Sequence, residues 1–352
     1  MKKLSILLAG IMATTVLSGC AAKSSTVGSA EVPKQLVVST WGLNQDQYMK
    51  NVIEPFEKAN NVKVVVEIGN NDERLAKLKN NPNSTVDVMY LAESYSQQGI
   101  EDGLFEKIDY SKVPNAKKIL PIAQKFVQAG YGPAYTLNRA AIVYNPAKIN
   151  GKITSWKELW SADLKGKIAI PDITTTFGPA MVFAAGQKAG TDVKSDNGAS
   201  SFKALEALKP NVVKTYTKSS DLVNMFSNGE ITAAVAADFV VASIKKAMPD
   251  AVFVDPTEGA YLNFNTININ KNSKNKDLAL KFIDYVLSAE VESKTAATVG
   301  DSPINVDVKL AEKDAESLTY GEGVNKANAL DYSIVNKQLK SWIDQWNRLF
   351  NK

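Results

Sequence analysis

The sequence predicts an α/β protein of two lobes, with a hinge between the lobes and a ligand-binding cleft at the hinge. Three observations predict this class. The chain has 352 residues, which is enough for about two domains. Short apolar runs alternate with amphipathic helices in two separate series. A late strand and helix then show the same pattern as the first series, so we expect the chain to cross between the lobes twice.

The first series alternates strand and helix from its start. Its β-branched and apolar runs predict strands, and the spacing of Ile53, Phe56 and Ala59 on one helical face is typical of an amphipathic helix. The predicted order is a strand over 35–41, a helix over 48–59, a strand over 62–68, a helix over 72–80 and a strand over 86–91. Such alternation predicts parallel strands joined by crossover helices.

The second series follows the region 131–145 and repeats the pattern. Its predicted elements are a helix over 156–160, a strand over 167–170, a helix over 179–189 and a strand over 232–236. The chain returns in a strand over 261–269 and a helix over 276–288, and the last helix carries Trp342 and Trp346 on an apolar stripe typical of core.

The crossings define the lobes and the place of the ligand. We expect lobe 1 to contain 35–136 plus 262–298, and lobe 2 to contain 137–261 plus 299–352. Ligands of open α/β sheets bind outside the carboxyl ends of the strands. The cleft between the lobes is therefore expected to face those ends.

The N-terminus predicts export and lipidation. Lys2 and Lys3 precede an apolar stretch of about fourteen residues, which is shorter than the roughly twenty needed to span a bilayer. Leu-Ser-Gly-Cys then resembles the bacterial lipobox, in which the cysteine receives a lipid on its sulfur. We expect a lipoprotein signal peptide over 1–19, a lipidated Cys20 and a flexible tether over 20–34, rich in small and polar residues.

Composition excludes several classes of site. The chain has no histidine, so catalytic triads and zinc sites that need an imidazole are excluded. The single cysteine excludes disulfide frameworks, Cys-rich zinc sites and iron–sulfur clusters. No P-loop motif is present, and a formal net charge of +4 is too mild to indicate nucleic-acid binding.

Five segments carry a family resemblance: DVMY at 87–90, AIVYN at 141–145, TSWKELW at 154–160, LKGKIAIPD at 164–172 and ALKFIDYVL at 279–287. With them the chain resembles the solute-binding lipoproteins of ABC importers, in the cluster that includes polyamine-, iron-, thiamine- and phosphonate-binding proteins. The resemblance implies a type II periplasmic-binding-protein fold that closes on one small molecule and docks on a membrane permease with its ATPase. It also implies a monomer that is extracytoplasmic, is held to the membrane by lipid and needs no cofactor.

The order of segments is most similar to the spermidine/putrescine-binding proteins, so their site positions can be carried over. Trp41 matches the aromatic residue of the first cleft loop, and Glu93 with Ser94 stands in the loop after the third strand. Where the family has two carboxylates, this chain has Thr174, Thr175 and Thr176. The two tryptophans that sandwich the polyamine match Ala236 and Asn263.

Charged residues outside the family pattern complete the candidate site. Glu93, Asp238 and Asp301 are acids where the pattern has none, and Arg139 lies near the first crossing, close to Tyr135. The ligand-binding candidates are Trp41, Glu93, Ser94, Tyr135, Arg139, Thr174, Thr175, Thr176, Asp238, Asn263 and Asp301. No catalytic or metal-ligating residue is predicted.

Each candidate has an expected role. Glu93 or Asp238 would meet a positive nitrogen, Trp41 would cover an apolar part, and the threonines with Arg139 would receive any anionic end. One threonine of 174–176 is expected to cap the following helix, and Arg139 could instead pair with a carboxylate of its own lobe.

The first hypothesis is therefore an ABC-transporter solute-binding lipoprotein that captures a small amine, polyamine-like or zwitterionic solute. Three alternatives remain open. The same fold could bind an anionic, phosphorylated or thiamine-like compound. The protein could be an extracytoplasmic enzyme that uses Glu93 and Asp238 as a glycosidase-like carboxylate pair. It could also be a sensor subunit read by a membrane receptor.

Overall fold

One mixed, eleven-stranded sheet organises the computed structural model, which describes residues 34–42, 44–315 and 318–351. The strands are β1 (Lys34–Thr40), β2 (Val62–Ile68), β3 (Val88–Ala92), β4 (Ala134–Tyr144), β5 (Ile168–Pro171), β6 (Val212–Tyr216), β7 (Ala233–Ala237), β8 (Val252–Val254), β9 (Tyr261–Ile269), β10 (Ser302–Pro303) and β11 (Asn328–Ala329). The predicted signal segment 1–19, Cys20 and the tether up to residue 33 lie outside the described residues, and Lys34 itself opens β1.

Helices cover both series of strands. The α-helices are α1 (Gln45–Tyr48), α2 (Glu54–Asn60), α3 (Asn71–Asn80), α4 (Glu93–Glu101), α5 (Gln124–Ala129), α6 (Gly178–Ala189), α7 (Val193–Asp196), α8 (Ala199–Leu208), α9 (Ser219–Ser227), α10 (Asp238–Ala247), α11 (Lys276–Val286), α12 (Ala289–Thr298), α13 (Glu312–Ala315), α14 (Glu322–Asn325) and α15 (Tyr332–Phe350). Short 3₁₀ turns span Tyr110–Lys112, Pro114–Lys118, Pro121–Ala123, Pro146–Lys148, Trp156–Trp160, Ala162–Leu164 and Lys209–Asn211. None of the helices in the described ranges is long and apolar enough to cross a membrane.

The strand order is β2-β1-β3-β9-β4-β7-β5-β6. Within each series the pairs β1/β2, β1/β3, β5/β6 and β5/β7 are parallel, as the alternation predicts. The two central strands differ: β9 is antiparallel to β3 and to β4, and β4 is antiparallel to β7.

Strands β4 and β9 carry the chain between the two halves of the sheet. The first part of β4 pairs with β9, up to Ala140 opposite Tyr261, and the remainder up to Tyr144 pairs with β7. The apolar core divides at the same point, since Leu137 packs in one cluster and Ala140 in another. The residues of β4 near this point therefore lie next to both halves.

Two large cores lie on either side of this crossing. In the first, Phe56 stacks edge-to-face on Phe282 at 5.0 Å between ring centroids. In the second, Trp342 and Trp346 are fully buried, which confirms the prediction that they are core. Ile304 and Val324 pack in the first core, although they belong to the segment 299–352 that we assigned to lobe 2.

Two predicted helices take other forms. The helix expected over 48–59 begins earlier, at Gln45, and contains a π-helical turn over Met49–Ile53. The expected helix over 156–160 is a 3₁₀ turn, which Ser155 and Glu158 close with a reciprocal capping box. Strands β2 and β9 have the predicted bounds.

Candidate functional site

A cleft of about 1080 Å³ opens at the carboxyl ends of the parallel strands. Trp41 follows β1, Ala92 ends β3, and Asp238 follows β7, and all three line the cleft. The middle of β4 and β9 forms its floor through Asn138 and Asn263. The cleft therefore lies where the sheet topology predicts a ligand site.

Four aromatic side chains, Trp41, Tyr48, Tyr90 and Tyr135, form what we call the aromatic cluster. Tyr90 is central and buried, with ring centroids 6.5 Å from Trp41, 6.2 Å from Tyr48 and 4.7 Å from Tyr135, all in edge-to-face contact. The Tyr48 hydroxyl donates to the Tyr90 oxygen at 3.1 Å. Burial raises the pKa of all three tyrosines, so their rings stay neutral.

Asp301 lines the cleft beside the aromatic cluster. Its negative charge contributes to the raised pKa of Tyr135, Tyr90 and Tyr48, which indicates how near it lies to them. Within the described part of the chain, its carboxylate has no hydrogen bond or ion pair. Burial raises the pKa of Asp301 to about 7. A carboxylate without a protein partner is available to a ligand.

Glu292 supports the loop that carries Asp301. It is buried, and its Oε2 accepts the backbone N–H groups of Ile304 at 2.8 Å and Asn305 at 2.7 Å. Its Oε1 has no partner among the described residues. Burial raises the pKa of Glu292 well above its usual range, and the negative charge of Asp301 adds to that rise. Glu292 thus positions the loop through these two backbone hydrogen bonds.

Asp238 lines the cleft, but its carboxylate is held by the protein. It accepts the N–H of Phe239 at 2.8 Å, the N–H of Arg139 at 3.2 Å and the Thr319 hydroxyl. Burial raises the pKa of Asp238 to about 6, against the opposing effect of these donors. Asp238 therefore has little capacity left for a ligand.

Arg139, expected to receive an anionic end of the ligand, has its guanidinium paired within the protein. Its Nε donates to Asp255 at 2.7 Å, and its Nη1 donates to the Leu318 carbonyl at 2.9 Å and to the Thr319 hydroxyl at 3.2 Å. Arg139 does not belong to the described residues that line the cleft. The alternative, a structural ion pair near the crossing, is what the structure contains.

Glu93 and Ser94 also lie away from the described lining of the cleft, contrary to expectation. Glu93 is buried, and its Oε1 accepts a hydrogen bond from Lys125 at 2.6 Å. Burial raises the pKa of Glu93, and Lys125 opposes that rise. Ser94 contributes its backbone carbonyl to Asn336 at 3.1 Å. Both residues serve contacts between helices, since Asn336 belongs to α15.

The threonines of 174–176 form a turn on Asp172. The Thr174 hydroxyl donates to Asp172 Oδ1 at 2.7 Å, and the Thr175 hydroxyl donates to the Asp172 carbonyl at 2.7 Å. Only Thr176 of the three lines the cleft. The prediction that one threonine caps the next helix is wrong, because α6 begins at Gly178 and its N-cap is Phe177, without a side-chain cap.

Several cleft residues escaped sequence reasoning. Tyr48 joins the aromatic cluster, and Asn265 donates to Asn138 at 3.1 Å while accepting from the predicted Asn263 at 3.1 Å. Phe239 lines the cleft and is 47% exposed, which is unusual for a large apolar side chain. The helical period of α10 separates a face with Phe239 from a face with Val241 and Ile244, but it does not show which of the two faces the cleft.

The geometry suits an organic cation. A neutral aromatic cluster offers ring faces and hydroxyl oxygens, and Asp301 offers an unpaired negative charge beside them. Across the described ranges, no group of three or more Cys, His, Asp or Glu side chains could hold a metal ion.

Comparisons with known proteins fit this geometry. Residues 51–319 match the family described as bacterial extracellular solute-binding protein. The spermidine/putrescine-binding periplasmic protein of Escherichia coli (strain K12) is 26% identical over 295 residues, which are 79% of this chain and 84% of that protein. A putrescine-binding periplasmic protein of the same strain, PotF, is 26% identical over 313 residues, or 82% of this chain and 80% of that protein.

Solved structures share the whole described architecture. The crystal structure of an ABC transporter from Clostridium perfringens ATCC 13124 has 60% sequence identity and a TM-score of 0.85, over 90% of this chain and 100% of that chain. The spermidine/putrescine ABC transporter substrate-binding protein PotD from Streptococcus pneumoniae has a TM-score of 0.72 at 20% identity, over 89% of this chain and 99% of that chain. The expected type II periplasmic-binding-protein fold is confirmed.

Proposed function

The chain belongs to the bacterial extracellular solute-binding proteins, and on that basis we propose that it captures a small organic amine and is not an enzyme. The captured solute is delivered to the permease of an ABC importer. Spermidine and putrescine, which the relatives are named for, are the first amines to test.

The single observation that supports an amine is Asp301, a carboxylate in the cleft without a partner among the described residues. An ammonium group placed there would pair with the carboxylate and lie against the faces or hydroxyls of Tyr48 and Tyr135. Such a ligand would also remove the energetic cost of holding an unpaired negative charge in a half-buried site.

Asp301 thus replaces Glu93 and Asp238 as the group that meets the positive nitrogen. Glu93 is paired with Lys125, and Asp238 already accepts three hydrogen bonds. This arrangement also counts against the enzyme hypothesis, which needs both carboxylates to face one substrate.

The remaining parts of the proposal come from the sequence. The mature protein begins at Cys20, carries a lipid there, and is tethered outside the cytoplasm as a monomer. We take its lobes to divide near the β4/β9 crossing, with lobe 1 drawn from 35–136 plus 262–298 and lobe 2 from 137–261 plus 299–352, except that Leu137, Ile304 and Val324 pack in the core of lobe 1. Closure about the crossing would bring α10 towards the aromatic cluster.

The test is isothermal titration of the soluble protein from residue 21 onward with putrescine, spermidine and butylamine. We expect Asp301→Asn to lower the affinity for every amine that binds by about thirtyfold or more, because truncating a desolvated charge contact typically costs about 2–5 kcal/mol. The matched control is Asp344→Asn, an exposed acid on α15 outside the cleft lining, which should stay within about twofold. Amine binding that is unchanged in Asp301→Asn, or no amine binding by the wild type, would contradict the proposal.

A further inference from the structure

We propose that the solute is a zwitterion, an amine with a carboxylate at its other end, and that Lys246 of α10 receives that carboxylate. This inference rests on the proposed function, because it takes Asp301 as the site of the ammonium. It adds the second end of the ligand and a residue that determines specificity.

Helix α10 presents one complete face to the cleft. Phe239, Ala242, Ser243 and Lys246 all line the cleft, and their spacing of three, four and seven residues places them on one side of a helix. We call these residues the α10 cleft face. The opposite side, with Val241 and Ile244, is buried in the core. The whole length of this face is therefore available to a ligand.

Lys246 is the one positively charged side chain among the described residues that line the cleft. It is exposed, and the described structure gives it no hydrogen bond or ion pair with the protein. It lies eight residues after Asp238, about 12 Å along the helix axis at 1.5 Å per residue. Because the Cα–Cβ bonds of a helix tilt towards its N-terminus, the Lys246 side chain leaves the backbone in the direction of the rest of the α10 cleft face.

Hydroxyl groups accompany Lys246. Ser219, Ser220 and Ser243 line the same cleft, and their hydroxyls have no partner in the described part of the protein. An ammonium and several free hydroxyls are hydrogen-bond donors, which a carboxylate accepts and a second ammonium cannot. Arg139, the group expected to receive an anionic end, is occupied by Asp255 and Leu318.

The cleft also contains one feature that would favour a diamine. Asp314, on α13, lines the cleft and could meet a second ammonium. A diamine would then have to place that second positive charge in a cleft that already contains the Lys246 ammonium. A zwitterion would pair with Asp301 at one end and with Lys246 at the other. Comparing the affinities of zwitterions and diamines therefore tests which ligand class the cleft prefers.

The experiment titrates the same soluble protein with two series of matched length. One series contains ω-amino acids from 3-aminopropanoate to 6-aminohexanoate, and the other contains the diamines from 1,3-diaminopropane to 1,6-diaminohexane. The variant is Lys246→Gln, which keeps most of the side-chain length and removes the charge. The control is Lys203→Gln, an exposed lysine of α8 outside the described cleft lining.

We expect the wild type to bind at least one ω-amino acid more tightly than the diamine of equal length. Lys246→Gln should lower that amino acid's affinity about tenfold or more and leave diamine affinity unchanged or improved, while Lys203→Gln changes neither. The inference is overturned if diamines bind as tightly as any ω-amino acid, or if Lys246→Gln affects both series equally. Diamine binding that depends on Asp301 but not on Lys246 would overturn the zwitterion and leave the proposed function standing. Failure of every amine would overturn both.

Discussion

Replacing Asp301 with asparagine should stabilise the unliganded protein while it removes amine binding. The carboxylate lies in the cleft without a partner among the described residues, and burial raises its pKa to about 7 from an ordinary value of 3.8. Folding therefore opposes the charged form of this side chain. Asparagine has nearly the same shape and carries no charge, so Asp301→Asn removes this opposition without leaving a cavity.

The magnitude follows from the size of the pKa rise. Each pKa unit corresponds to about 1.36 kcal/mol, so a rise of roughly three units gives about 4 kcal/mol as the largest possible gain. Asp301 still contacts the water of the cleft, and the new amide also needs hydrogen-bond partners. We therefore expect Asp301→Asn to raise the free energy of unfolding by about 2 kcal/mol at about pH 8.

The sign of the pH dependence is the distinctive part. Between about pH 4 and pH 7 the folded carboxyl keeps a proton that the unfolded chain releases, so the wild type loses stability as the pH rises through this interval. The loss is complete above about pH 7. The gain in the free energy of unfolding from Asp301→Asn should accordingly be complete at about pH 8 and fall to about a quarter of that value at about pH 4.5.

Urea unfolding followed by tryptophan fluorescence at the two pH values measures this difference. Asp238, Glu93 and Glu292 also have raised pKa values, but they are present in both proteins, so the comparison isolates Asp301 together with its effect on its neighbour Glu292. The reasoning would be refuted if Asp301→Asn were less stable than wild type at the higher pH. It would also be refuted if the variant gained the same free energy of unfolding over wild type at both pH values. Asp344→Asn should show no such difference.

Two further predictions concern other parts of the chain. Arg139→Met should lower the free energy of unfolding by about 3 kcal/mol, because it breaks a buried charge network whose partner Asp255 is only partly solvated. Urea unfolding checks this against Arg348→Met, an exposed control, and a strong loss of amine affinity in folded Arg139→Met would instead return Arg139 to the binding site. Cys20→Ser should leave an uncleaved precursor or release the protein from the membrane, since the hydroxyl cannot form the thioether. Cell fractionation followed by immunoblotting measures the size and location of the variant. Protein of mature size that stays in the membrane would count against lipidation.

The sequence by itself determined the alternating architecture and part of the cleft. Hydrophobic period distinguishes strand from helix locally, so β2 and β9 appear with their actual bounds and Trp342 and Trp346 are correctly placed in the core. Trp41 could be placed in the cleft for a similar reason, because it directly follows a strand at the end where ligands bind.

Tertiary structure decided which charges remain free. Arg139 finds Asp255 at 116 residues' separation, and Glu93 finds Lys125 at 32 residues' separation, so neither pairing leaves a local pattern to read. The sequence placed Asp301 among the candidates, but only the packing of the described residues around it shows that no partner reaches its carboxylate.

The α10 helix shows the division most clearly. Its sequence contains two helical faces that each include apolar residues, one with Val241 and Ile244 and one with Phe239. The hydrophobic period predicts that the two faces exist, but it does not predict which of them packs against the core. Only the packing of β7 and α10 beside the β4/β9 crossing turns Phe239 and Lys246 towards the cleft, because burial depends on neighbours that are distant in the chain.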